Sequence, residues 1–336
     1  MENEETYTKT EPRTPITSKE DMDQAVREVE KQEQFYSMAL FDILGFSNYV
    51  EKNGTQTVME LYQKLLNIIH RAESHYGGSE LLSGSVVPTP TSNDWRYNAL
   101  IADAGGFIRV CHFSDTFIIY TNYIFTKNPF WLRDTYFEPY PLLLGEIGTE
   151  YCSLIYQEHH IYLSFLQICM EFFCEAVKAG IPLRGCVSTG MATMNQYDSI
   201  YFGRPLVEAA RGETAQSCIG MAFGRSFNNY HPAYNRYFIP YLGHIKEDGK
   251  GVGFLSPMAV DWPRFWRGNA RFRDLSITEC INRMNTNPSF ANYYDGAIKF
   301  AAFSKAHEDW SDKIDRDGVT DIVDYYKRTK AWYCSL

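Results

Sequence analysis

Apolar positions along this chain fall into two periods. In TQTVMELYQKLLNIIHRA, residues 55–72, Val58, Leu61, Tyr62, Leu65, Ile68 and Ile69 recur three and four apart, which predicts a helix with one buried face. Residues 37–44 are nearly all apolar and predict a buried strand. Phe107–Phe113 and Thr116–Tyr120 are strand-like runs separated only by Ser114-Asp115, a hairpin pattern. YLSFLQICMEFFCEAVKAG predicts an almost wholly apolar helix ended by Gly180, the favoured C-terminal cap. Pro182 begins the strand PLRGCVSTGMATM; a turn and SIYFG follow, and Gly203 opens a helix through about Thr214. YFIPYLG and GVGFLSP are further strand candidates, and an Ala/aromatic pattern over 289–307 predicts a late helix. This succession predicts an α/β fold, an α+β sandwich whose mixed sheet carries a ferredoxin-like β-α-β-β-α-β core.

Between these segments the pattern fails. Residues 1–17 are charged and nearly free of apolar side chains, and are expected to be a disordered tail. Ser18 with Asp21 forms a weak capping box opening a charged helix over 18–34. Residues 76–104, rich in Gly, Ser, Pro and Asn, read as a long excursion. Residues 122–150 are too aromatic for a solvated loop and read as a packed insertion. A main domain over 35–260 and a C-terminal helical extension over 261–336 complete the division.

Composition narrows the class. Aromatic residues make up 15% of the chain, which favours large packed interfaces. A net charge of −9 with no basic block argues against a nucleic-acid groove or an anionic membrane surface as partner. None of the eight cysteines forms a Cys-x-x-Cys pair, so no structural zinc site is expected. The polar, acidic start does not read as a signal peptide, and no apolar run reaches the roughly 20 residues that span a bilayer. A reduced cytoplasmic protein is the expectation. His159 and His160 follow Glu158, but adjacent residues point to different helix faces, so they read as a surface or interface pair.

The candidate chemistry lies in MALFDILGFSNYVE. Asp42 closes a buried strand, where a carboxylate is costly unless a metal ion or cation compensates it. Asp115 sits at the tip of a hairpin predicted to pair beside it. Two carboxylates converging from separate strand ends suit Mg²⁺ or Mn²⁺, which take oxygen ligands and keep positions open for phosphate oxygens and water. Gly45 permits a tight turn, and free amides at the next helix start suit phosphate oxygens. The plainer alternative makes Asp115 an ordinary turn residue and Asp42 a helix cap.

Four segments together resemble the class III nucleotide cyclases. LFDILGFS resembles their first metal-binding segment, F-D-I-x-G-F-T/S. HFSDTFIIY resembles the second, LRGCVSTGMA the strand R-x-G-I-x-x-G, and YFGRPLVEAAR the motif W-G-x-x-V-N-x-A-x-R. They occur in the family's order, with a longer separation between the two aspartates that the 76–104 excursion accommodates. The resemblance implies a head-to-tail homodimer with two composite sites. Asp42, Asp115 and the backbone carbonyl of Ile43 would hold two divalent cations, Mn²⁺ or Mg²⁺, for an in-line displacement giving a 3′,5′-cyclic nucleotide and pyrophosphate. Gly45, Phe46 and Ser47 would line the substrate. Arg211 matches the arginine that stabilises charge on the α-phosphate from the opposite subunit. The family's transition-state asparagine falls at Val207, which cannot donate a hydrogen bond; Arg204 or Glu208 could adapt, or Arg211 and the backbone suffice. Arg184 reads as a structural strand arginine ahead of a phosphate ligand, and Lys246 as a cation without local context.

In the purine cyclases two polar positions read the base, and here they hold Cys111 and Ile200, which offer no charged contact to a purine edge. Tyr49 would narrow the base pocket and favour a pyrimidine on size. The pattern is similar to the bacterial pyrimidine cyclases of Pycsar antiphage defence, which share PYLGHIKEDGKGVGFLSPMAVDWP. That similarity implies UTP, ahead of CTP, as substrate, and a cyclic nucleotide that activates a separately encoded effector. A degenerate cyclase-fold module that binds a nucleotide or partner without chemistry is the alternative, motivated by Val207.

Overall fold

The computed structural model describes residues 31, 33–76, 108–121, 165–227, 237–246, 253–285 and 287–308. The 1–17 tail, the 122–150 insertion, His159 and His160 lie outside these residues, as do nearly all of the 18–34 helix and the 76–104 excursion. Gln34, the expected end of that helix, is already the first residue of a strand.

Among the described residues, β1 (Gln34–Ile43), α1 (Phe46–Lys52), α2 (Thr55–Tyr76), β2 (Ile108–Phe113), β3 (Thr116–Thr121), α3 (165–178) and β4 (Leu183–Asn195) come first. They are followed by β5 (Ile200–Gly203), α4 (Arg204–Ala215), β6 (Gly220–Gly224), β7 (Phe238–Pro240), β8 (Leu255–Val260), α5 (Trp262–Gly268), α6 (Ile277–Met284) and α7 (Ala291–Ala306). One mixed sheet runs β2-β3-β1-β4-β6-β8-β7, with β5 hairpinned onto β4. Every pairing is antiparallel except β4 with β6, which the α4 crossover makes parallel.

Alternation along β1 shows how the sheet divides its two faces. Ala39, Phe41 and Ile43 point into a large core with α2, α3, α5, α6 and α7. Tyr36, Met38 and Leu40 point into a smaller one to which, among the described residues, α4 is the helix that contributes, through Ala209 and Ala215. On the first face Phe172 of α3 meets Phe41 and Phe117 with ring centroids 5.1 and 5.7 Å apart. Burying one such ring contributes about 2 to 3 kcal/mol. The helical period in α2 has the same outcome: Leu65, Ile68, Ile69 and Ala72 are buried. Gly180 ends α3 with φ 82°, and Ile181 N–H donates to Ala176 O to close the cap.

Two strands differ from expectation. GMAFG becomes β6, wholly buried between β4 and β8, although its glycines weaken the local strand signal. The strand expected at GVGFLSP begins only at Leu255 and continues to Val260, because residues 253–254 form a turn. Residues 262–301 contribute Trp262, Trp266, Tyr294 and Phe300 to the same core as β1 and α3. No helix among the described residues is long and apolar enough to cross a membrane.

Candidate active site

Asp42 lies at the C-terminal end of β1, in line with Met38 and Leu40 on the α4 face. It is paired in register with Thr116 of β3 on one side and Arg184 of β4 on the other. The hairpin between β2 and β3 is two residues long, and Ser114 takes φ 52° to make it. That turn sets Asp115 next to Thr116, so its carboxyl group lies within hydrogen-bonding reach of Asp42. The two aspartates named from sequence are therefore neighbours across β1 and β3.

Arg184 brings in a third carboxylate. Its Nη2 forms an ion pair with Glu213 of α4 and also reaches Asp42 Oδ2 at 3.4 Å. The ring of Tyr293, in the first turn of α7, lies 5.3 Å from the guanidinium carbon and 5.6 Å from Lys246 Nζ. Lys246 also donates to Thr214 O at 2.6 Å, next to Glu213. Burial first, and the Asp115 charge second, push the Asp42 carboxyl up to about 6 against the opposing pull of Arg184. Burial pushes Glu213 up to about 7, with Arg184 opposing and Asp42 adding to the rise. Carboxylates outnumber the cations that directly pair with them.

This electrostatic deficit is the test of whether a divalent cation fits. Asp42 and Asp115 offer oxygen ligands from two rigid strand ends, and added positive charge would relieve both burial cost and mutual repulsion. No group of three or more His, Cys, Asp or Glu side chains suited to a metal occurs among the described residues. A two-carboxylate site still suits Mg²⁺ or Mn²⁺, which characteristically take one or two carboxylates and fill the remainder with water and phosphate. The residues fit.

The turn after Asp42 is also tightly built. Gly45 has φ 78°, a conformation that suits glycine, and a Cβ there would stand 2.7 Å from Phe290 Cε2. Phe290 ends the short 3₁₀ turn Pro288–Phe290 just before α7. Phe46 packs edge-on against Tyr62, Ser47 is exposed, and Tyr49 is half-buried on α1. The side chain of Ile43, the last residue of the β1–β4 ladder, turns to the opposite face.

Other expected site residues lie elsewhere in the chain. Cys111 is buried in the smaller core opposite Ile118, and burial pushes its thiol up to about 12. Ile200 is 47% exposed and pairs with Asn195, at the end of β4 remote from Arg184. Arg211 is exposed on α4 with its guanidinium 5.1 Å from the Phe254 ring, while Glu213 two residues on turns inward to Arg184. Val207 is 51% exposed. A single chain thus gathers Asp42, Asp115 and the Gly45 turn, but not Ile200 or Arg211.

Glu213, Tyr293 and Phe290 are neighbours that sequence reasoning missed. A charged residue two positions after Arg211 was the only local signal for Glu213. Nothing local marks the two aromatics, which approach the site from the far end of the chain. No protein-family model matches this chain, and no curated protein matches it.

Proposed function

We propose that the chain is a pyrimidine nucleotide cyclase, a phosphorus–oxygen lyase that converts UTP, ahead of CTP, to its 3′,5′-cyclic monophosphate and pyrophosphate. The observation that carries this reading is the adjacency of Asp42 and Asp115 at the ends of β1 and the β2–β3 hairpin, short of compensating charge. Asp42, Asp115 and the Ile43 carbonyl would hold the divalent ions, and the turn over Gly45, Phe46 and Ser47 would face the triphosphate. When bound, two such ions supply activation of the ribose 3′-hydroxyl and neutralisation of phosphate charge. The 3′-oxygen, its proton passing to water, would then attack the α-phosphorus as the bond from that phosphorus to the bridging oxygen breaks, and pyrophosphate would leave.

A head-to-tail homodimer is the finer part of the proposal. Met191, Tyr197, Ile200 and Phe202 on the β4–β5 hairpin and Val207 on α4 are exposed apolar side chains, the type of surface a second copy covers. Such a dimer would carry Arg211 of one protomer, with Ile200, to the carboxylates of the other. Arg211 there donates to the α-phosphate oxygens as charge develops. Tyr49, half-buried on α1, would stand on the base side of the pocket, and Cys111, buried in the smaller core, would offer the base no charged contact. The cyclic nucleotide would activate a separate antiphage effector.

The exposed Val207, at the position of the family's asparagine, favours one second reading: a nucleotide-binding module without turnover. Incubating the purified protein with Mn²⁺ and each of the four nucleoside triphosphates, with products separated by mass, distinguishes them. Cyclic UMP or cyclic CMP is expected. Nucleotide binding without a cyclic product would establish the second reading; a cyclic purine would preserve the cyclase and overturn the pocket argument.

A further inference from the structure

One nitrogen serves two carboxylates at this site. Arg184 Nη2 is close to Glu213 and more distant, at 3.4 Å, from Asp42. Arg184 cannot drift freely between them, because its side chain is 11% exposed and lies beneath the Tyr293 ring. Glu213 is itself 5% exposed, and the residue after it is held by Lys246 through Thr214 O. An arginine paired fully with Asp42 would compete with any cation for that carboxylate. An arginine held back by a stronger partner leaves Asp42 available.

We propose that Glu213 is a positioning residue that limits Arg184 to a long, shared contact with Asp42, so that Asp42 and Asp115 remain able to share a divalent cation. This rests on reading the aspartate pair as a cation site. Glu213 touches neither cation nor substrate in this role; it acts through Arg184. The geometry makes an asymmetric demand. Removing the glutamate charge releases Arg184 to Asp42 and weakens cation binding, whereas removing the arginine removes the competitor. A glutamate that helped bind the cation directly would matter equally with or without Arg184.

The test is a Mn²⁺ titration of the full chain without nucleotide, following the electron paramagnetic resonance signal of free Mn²⁺. Wild type is expected to bind and Asp42→Asn to lose binding. Glu213→Gln is expected to weaken binding by about tenfold, a typical size for coupling between contacting residues. Arg184→Gln should bind at least as tightly as wild type, and adding Glu213→Gln to it should cause no further loss. Unchanged affinity in Glu213→Gln, or an equal loss with and without Arg184, would overturn the positioning role while leaving the aspartate pair intact. If Glu213→Gln does not fold, Arg184→Gln decides alone, because weaker binding there contradicts competition. Equal Mn²⁺ uptake by wild type and Asp42→Asn, or none by either, would instead remove the reading on which the proposal stands.

Discussion

Arg271 faces two buried glutamates, Arg184 a buried glutamate and the half-buried Asp42, and they pair with them in different ways. Arg271 divides its fork: Nη1 pairs with Glu171 and Nη2 with Glu175 at 2.7 Å, both on α3, while Lys178 adds a contact to Glu175 at 3.5 Å. Each carboxylate has its own nitrogen, and two cations match two anions. Arg184 instead offers one nitrogen to both Glu213 and Asp42, and Asp42 faces Asp115 besides. The first cluster is neutral and complete, and ties α3 to the segment after α5. The second is deficient in positive charge at a strand end. Complete pairing is what architecture needs; an arranged deficit is what a cation-dependent site needs.

The sharpest way to break this contrast is to remove one member from each cluster. Asp42→Asn and Arg211→Ala are each expected to lower cyclic-nucleotide formation by about a thousandfold, as loss of a group that stabilises transition-state charge does. Mixing the two inactive variants should restore part of the turnover, because one site of a mixed dimer is then intact. No recovery, with dimers demonstrated by sedimentation, would show that the sites are not shared. Arg271→Ala should leave turnover per folded molecule unchanged and cost about 3 kcal/mol of stability in urea denaturation, because it strands the buried Glu171 and leaves Glu175 with the Lys178 contact.

A pH series sharpens the same contrast. Asp42 and Glu213 hold their protons in the folded state to about 6 and about 7, above the values of free carboxyl groups. Between the free and folded values the folded state binds more protons, so the contribution of these groups to stability falls as pH rises through that window. The cost is fully present above pH 7 and relieved towards pH 4. Asp42→Asn should remove its share, up to about 2 kcal/mol, so that wild type loses more stability than the variant between pH 4 and pH 8. Parallel stability curves would count against the charge deficit. The smallest effect is local: Gly45→Ala should cost about 1 to 2 kcal/mol in thermal or urea unfolding, from the left-handed backbone and the Phe290 contact together.

The contrast also explains what the sequence could disclose. β1, the β2–β3 hairpin and α2 were legible because period and turn residues are local, and they alone bring Asp42 to Asp115. β6 was not, because GMAFG is stabilised as a strand by β4 and β8 on either side rather than by its own residues. Lys246 had no visible context in sequence and gains it through Tyr293 and Thr214 O. The pairing of Arg184 with Glu213 depends on which face of α4 turns inward, and Glu213 lies only two residues from the outward-facing Arg211. In the proposed dimer Arg211 and Ile200 would reach the substrate from a second protomer, and one chain's sequence pattern carries no signal for that juxtaposition.

Tyr293 and Phe290 have a consequence for the order in which a ribosome assembles this centre. Once Arg184 has been added both aspartates are already present, yet the aromatic ring over that arginine and the one against Gly45 are still more than a hundred residues from being made. A nascent chain therefore carries its acidic pair and Arg184 without these two rings around them until the start of α7 has been made.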